Sequence, residues 1–216
     1  MNKAIIRLMG GFRRFREKNF LHNDLGDSFY QRLSTEGQSP KTLLIGCSDS
    51  RVDPAILTGA SPGELFVIRN VANLVPPCEP AAVGFHGTSS AMEFAVVNLK
   101  VENIIVLGHR QCGGIRALMS GEAPDPESFI RQWMSIAEDA RVKVLSEYPN
   151  VDPETRCRMA EMESICVSLR NVHSFPFVRK AVEAGHLNVI GVYFDLEQGH
   201  LWHYDEVSKK FVQLSV

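Results

Sequence analysis

Four short segments of this 216-residue chain are apolar almost without interruption, not at every second position: Thr42-Leu43-Leu44-Ile45-Gly46, Leu65-Phe66-Val67-Ile68, Ile104-Ile105-Val106-Leu107 and Val189-Ile190-Gly191-Val192-Tyr193-Phe194. A strand with one face in water alternates, whereas a strand covered on both faces does not. Helix-length stretches lie between several of these runs, among them Ala81 to Lys100 and Pro153 to Ala184, the latter bent or broken at Pro176. Strands that alternate with helices predict βαβ units with right-handed crossovers. The expected fold is therefore α/β, with a mainly parallel central sheet of four strands flanked by helices. His200 to Tyr204, after the Glu197-Gln198-Gly199 turn, is expected to return as an antiparallel edge strand. With 44% hydrophobic residues and neither an internal repeat nor a linker, the chain reads as a single domain over residues 1–216.

Residues 1–35 read as an N-terminal helical arm. Ile5, Met9, Phe12 and Phe15 recur at helical spacing with Arg7, Arg13, Arg14, Arg16 and Lys18 between them, a basic amphipathic helix over 1–20 interrupted at Gly10-Gly11. A second polar helix is expected around Asp24 to Ser34. The basic helix fits packing against the body or a neighbouring subunit, attachment to a membrane surface, or an organelle transit signal.

Charge and cysteine usage exclude whole classes. Twenty-three Lys and Arg against twenty-five Asp and Glu leave a net charge of −2, so no nucleic acid is expected as a partner. Five cysteines, an odd number, argue against a disulfide framework and for a reducing compartment, the cytoplasm. No apolar stretch approaches the ~20 residues of a bilayer span, so no integral membrane association is expected.

Two of the predicted strands end in unusual residues. The first runs into Cys47-Ser48-Asp49-Ser50-Arg51 and the third into Gly108-His109-Arg110-Gln111-Cys112-Gly113-Gly114. In a parallel sheet both ends lie on one edge, where open α/β folds place their ligands, so Cys47, Asp49, His109 and Cys112 can converge. Two thiolates, an imidazole and a carboxylate suit tetrahedral zinc. A buried cysteine or a lone histidine is otherwise an ordinary structural residue, and spacing alone leaves both readings standing. Asp49 decides the kind of site. Three permanent ligands leave a position for water, four close it, and the planar guanidinium of Arg51 can take the Asp49 carboxylate away from a metal.

Cys47-x-Asp49-x-Arg51 followed by His109-x-x-Cys112-Gly113-Gly114 closely resembles the β-class carbonic anhydrases, in particular the plant-type group as bacterial members carry it. The resemblance runs from about Gln38 to Met119. It takes in Pro62-Gly63-Glu64-Leu65-Phe66, Arg69-Asn70-Val71-Ala72-Asn73 and Ser90-Ala91-Met92-Glu93-Phe94-Ala95-Val96. It implies a zinc lyase that hydrates carbon dioxide reversibly to bicarbonate and a proton by a zinc-bound hydroxide. Cys47, His109 and Cys112 match the zinc ligands. Asp49 and Arg51 match the catalytic dyad, with Asp49 on the metal in a closed form. Gln38 and Phe66 match substrate-side residues, and the backbone amides of Gly113 and Gly114 are candidate anion donors. The resemblance further implies a homodimer or higher homo-oligomer with the pocket at a subunit interface.

The chain departs from the pattern at three positions. Phe94 stands where plant-type members usually carry tyrosine, and Arg110 where a small residue is common beside the zinc histidine. Leu44 replaces a tryptophan of the bicarbonate-regulated members, so that anion site is expected to be missing and the zinc site to stay open at neutral pH. Arg110 either enters the pocket or points away from it. His86 reads as a proton shuttle or a helix-start residue, and Cys78, Cys157 and Cys166 as packing thiols. Two other activities share these residues: hydrolysis of carbonyl sulfide or carbon disulfide by the same zinc hydroxide, and a non-catalytic zinc or redox sensor with Cys47 and Cys112 as its thiols.

Overall fold

A computed structural model of the chain describes residues 2–21, 29–80, 84–121 and 127–215. They fall into two compact units, Met1–Ser39 and Pro40–Val216.

The second unit is built on a six-stranded sheet: β1 (Thr42–Cys47), β2 (Leu65–Asn70), β3 (Asn103–His109), β4 (Asn188–Asp195), β5 (His200–Asp205) and β6 (Lys210–Gln213), in the order β2-β1-β3-β4-β5-β6. β2, β1, β3 and β4 are mutually parallel, and β5 and β6 follow antiparallel. The four apolar runs are thus the four parallel strands. The edge at β5 is extended by β6, a four-residue strand that the sequence reading does not contain. Lys210-Phe211-Val212-Gln213 is too short and polar to signal a strand, and it follows a turn in which Lys209 is left-handed (φ 56°).

The helices are α1 (Lys3–Arg16), α2 (Phe29–Glu36), α3 (Pro54–Thr58), α4 (Gly87–Glu93), α5 (Gly113–Ser120), α6 (Phe129–Met134), α7 (Glu138–Glu147), α8 (Pro153–Ser174) and α9 (Pro176–Glu183). In the first unit α1 runs unbroken through Gly10-Gly11, contrary to the expected interruption. Each glycine costs about 1 kcal/mol against alanine but keeps its hydrogen-bonding groups, so the ladder continues. The Asn2 cap on the Ala4 amide and three arginines in the last turn support its two ends. α2 covers the later half of the second predicted helix, while residues 22–28 lie outside the described residues, as does the Pro124 to Pro126 loop. The break expected at Pro176 falls between α8 and α9, with Phe175 extended between them.

The register places the site. α8 begins at the Asp152 cap, whose side chain accepts from the Thr155 amide, and lies against β3 and β4 with Ile165, Leu169 and Val172 in the main core. Two glycines allow that approach. A Cβ on Gly108 would stand 2.7 Å from Ile165 Cδ1, and one on Gly191 2.9 Å from both Ile165 Cγ2 and Leu169 Cδ1. Gly191→Ala is expected to cost about 1–3 kcal/mol through overpacking. For a chain this long that lowers Tm by about 2–4 °C per kcal/mol, read by calorimetry. An unchanged Tm would mean that α8 has room to move.

Candidate active site

β1 and β3 are neighbours and parallel, so Cys47 and His109, their last residues, reach the same edge of the sheet. Beyond His109 the chain turns through Gln111, which is left-handed (φ 58°), and Cys112 enters as the N-cap residue of α5. The ligand atoms of Cys47, His109 and Cys112 lie within 4.8 Å of one another, and all three residues are buried. No second group of three such donors occurs among the described residues.

The donor set fits a metal ion. His109 Nδ1 sits 2.8 Å from the Arg110 carbonyl, an acceptor only, so that nitrogen carries a proton and the neutral ring has its lone pair on Nε2. Nε2 is buried without a hydrogen-bond partner. An orphaned buried nitrogen costs free energy unless something accepts its lone pair, and an imidazole whose other nitrogen donates to a carbonyl is the usual arrangement of a metal-binding histidine. The Asp49 amide donates to the Cys47 sulfur at 3.4 Å. A hydrogen bond from Cys112 pulls the Cys47 thiol down against the opposing effect of burial, and the same bond together with burial pushes Cys112 up. A divalent cation between the sulfurs would favour the thiolate form of both.

Asp49 is held off the cluster. Arg51 grips its carboxylate with two parallel bonds, Nε to Oδ1 at 2.9 Å and Nη2 to Oδ2 at 2.7 Å, and the Arg51 amide adds a third at 2.9 Å. This hydrogen bonding holds the Asp49 carboxyl well below the usual carboxylate range. Its Oδ2 nevertheless stays 4.0 Å from His109 Nε2, at the mouth of the cluster.

The remaining expected residues are placed differently. Gly113 has open space around it, whereas Gly114 packs so closely that a Cβ would meet Val71 Cγ1 at 2.9 Å. Phe66 pairs in register with Leu43, four residues before Cys47 on β1 and so about 13 Å back along the strand. It faces Phe94, with ring centroids 6.0 Å apart, and not the cluster of its own protomer. Gln38 belongs to the first unit. Arg110 points away from the cluster, to Glu154 (2.8 Å), Glu197 (2.9 Å) and Asp195 (3.4 Å). Cys78, read as a packing thiol, is exposed.

Two groups at the site have no role assigned in the sequence reading. Arg69 braces the β1 turn, donating to the carbonyls of Cys47 (2.9 Å) and Asp49 (2.7 Å) and pairing with Asp53 (3.1 Å). Glu161 of α8, 4% exposed, accepts from the Cys112 amide (3.0 Å) and the Tyr193 hydroxyl (2.8 Å), and burial pushes its carboxyl up. Arg69 stands inside the motif run 69–73, but its contacts lie about twenty residues back, and Glu161 is one of several glutamates in α8 with nothing to mark it.

Comparison with known proteins agrees with this geometry. The family model described as carbonic anhydrase matches residues 42–201. The chain is 36% identical over 207 residues to beta carbonic anhydrase 3 of Arabidopsis thaliana, covering 94% of this chain and 78% of that protein. Among solved structures it resembles the beta-carbonic anhydrase CcaA, with a TM-score of 0.89 and 34% identity over 100% of this chain and 94% of that one. It also resembles a structure from a study of two tetrameric beta-carbonic anhydrases of Sordaria macrospora, with a TM-score of 0.77 and 26% identity over 93% and 94% of the two chains. Sequence identity above a third, a family model spanning most of the chain and a matching backbone throughout leave one conclusion: this protein belongs to the β-carbonic anhydrases, enzymes that interconvert carbon dioxide and bicarbonate.

Proposed function

We propose that Cys47, His109 and Cys112 hold a catalytic zinc ion and that Asp49 and Arg51 are the dyad beside it. The observation that carries this reading is the two-pronged grip of Arg51 on Asp49, because it leaves three protein donors around the ion and not four. Zinc held there lowers the pKa of a coordinated water and so supplies a hydroxide nucleophile for hydration. Asp49, ionised throughout the neutral range, can only accept, so its Oδ2 would accept the hydrogen of that nucleophile and leave an oxygen lone pair to face the incoming carbon dioxide. Gly113 has open space around it and Gly114 is packed against Val71, so Gly113 is the better placed of the two glycines to donate to the bicarbonate anion.

Gln38 is proposed as a substrate-side residue on the ground of the family resemblance alone, and Phe66 and Phe94 are proposed to complete the pocket from a second copy of the chain. The distance of Phe66 from Cys47 along the sheet supports this, as do Ile5, Met9 and Phe12 of α1, which are exposed in the protomer. The unit of function is then a homodimer or higher homo-oligomer, in line with the relatives named as tetrameric. A cytoplasmic site of action fits the unpaired cysteines, and no described helix is long and apolar enough to cross a membrane.

Cys47 and Cys112 bring two negative charges to the ion where a three-histidine carbonic anhydrase brings none, which raises the pH at which the nucleophile forms. Turnover is therefore expected to climb from pH 7 to pH 9 in a stopped-flow hydration assay on protein with one zinc per chain. A flat profile, or a metal-free and inert protein after reconstitution, would refute this reading. The same assay with carbonyl sulfide tests the neighbouring substrate class.

A further inference from the structure

Arg51 has a second set of bonds that the dyad does not require. A guanidinium carries five donors in one plane. Asp49 takes those of Nε and one from Nη2; on the far side Nη2 donates to the Gln111 carbonyl at 3.1 Å and Nη1 points at the Gln111 side-chain oxygen at 3.4 Å. The carbonyl belongs to the left-handed residue that turns the chain between the ligands His109 and Cys112. The Gln111 amide is in turn fixed by Glu197, whose Oε1 lies 2.6 Å from Nε2. A carboxylate only accepts and a guanidinium only donates, so the amide has a single orientation that satisfies both neighbours. Glu197 itself is held by Arg110 Nη2 at 2.9 Å and by its own amide, which donates to Asp195 at 3.0 Å. The sequence Asp49–Arg51–Gln111–Glu197–Arg110 alternates acceptor and donor across the ends of β1, β3 and β4.

Resting on the zinc-site reading above, we propose that Gln111 and Glu197 form a strut that fixes the Arg51 guanidinium and thereby keeps Asp49 off the metal. Both are positioning residues. The need for a strut follows from exposure: the Arg51 side chain is 48% exposed, and an exposed ion pair alone contributes only about 0–1 kcal/mol, too little to hold a carboxylate beside a divalent cation. Asp49 Oδ2 is already 4.0 Å from His109 Nε2, so a small rotation of a released carboxylate makes it the fourth donor. The departure of Arg110 from the family pattern acquires a role here, since it anchors the outer end of the strut.

The test uses the full chain loaded with cobalt(II) at one fixed pH near 8, with Gln111→Met, which keeps the side-chain length and loses both polar ends, and Glu197→Gln, which lets the Gln111 amide turn either way. Two readouts are taken: the visible d–d spectrum, which reports the ligand set, and the rate of metal loss to a chelator. Gln111→Met is expected to shift the spectrum toward four protein ligands and to slow metal loss by about fivefold, the scale of one or two hydrogen bonds to a charged group. Glu197→Gln should shift both in the same direction by less, and the double variant should match Gln111→Met alone, because the two residues act in series. Wild-type spectra and loss rates in both single variants overturn the strut while leaving the zinc site intact. A wild-type chain that takes up no cobalt overturns both.

Discussion

His109→Ala is expected to abolish metal binding and carbon dioxide hydration together. The ring is 1% exposed and its Nε2 has no other partner, so its lone pair is available to nothing except an ion between it and the two sulfurs. Removing even an outer-shell partner of a metal ligand commonly lowers affinity or activity by about 10–100-fold, and removing one of three direct donors must exceed that. Cys47→Ser tests the same point with little change in volume: the serine hydroxyl keeps its proton at neutral pH where a metal-bound cysteine thiol gives it up, so the ion loses a charge as well as a soft donor. Both variants are to be read by metal analysis and stopped-flow hydration on the same sample. One zinc per chain in either of them would show that the ion, if bound, sits elsewhere. Thermal scans separate the causes, because a variant that folds like the parent and binds no zinc has lost the site and not the fold.

The sequence makes the proposed ligands legible for a topological reason. Cys47 and His109 terminate apolar runs that are interior strands, and interior parallel strands must bring their ends to one edge. What supports those ligands is hidden from a linear reading. Glu161 touches Cys112 across 49 residues and sits in α8, whose buried side mixes Glu161, Ser164 and Ser168 with Ile165, Leu169 and Val172, so nothing in the pattern separates the buried glutamate from the others of the helix. Gln111 resembles any polar loop residue until the β4–β5 turn places Glu197 against it, 86 positions later. Phe66 shows the converse. The family resemblance matches it to a pocket residue, whereas strand register puts it about 13 Å from Cys47 in its own chain, which is why its pocket role is proposed only through a second copy.

Arg51→Ala and Asp49→Ala are expected to lower turnover at neutral pH by about a hundredfold or more, the scale seen when an oriented charged group at a reacting centre is removed, with zinc retained in both. The routes to that loss differ. Asp49→Ala removes the acceptor at Oδ2, so the ion stays accessible but its nucleophile is no longer oriented, and metal loss to a chelator should be as fast as in the parent or faster. Arg51→Ala leaves the carboxylate in place and removes the bonds of 2.7 and 2.9 Å that restrain it; Asp49 then joins the cluster as a fourth donor and metal loss slows. Opposite effects on metal retention with the same effect on turnover would not arise from general damage to the fold. A redox or structural zinc protein predicts something else, since its thiols need neither residue and hydration at the parent level would survive both changes. Full hydration activity in Arg51→Ala would therefore remove the dyad from the mechanism and favour that alternative, whatever the metal content.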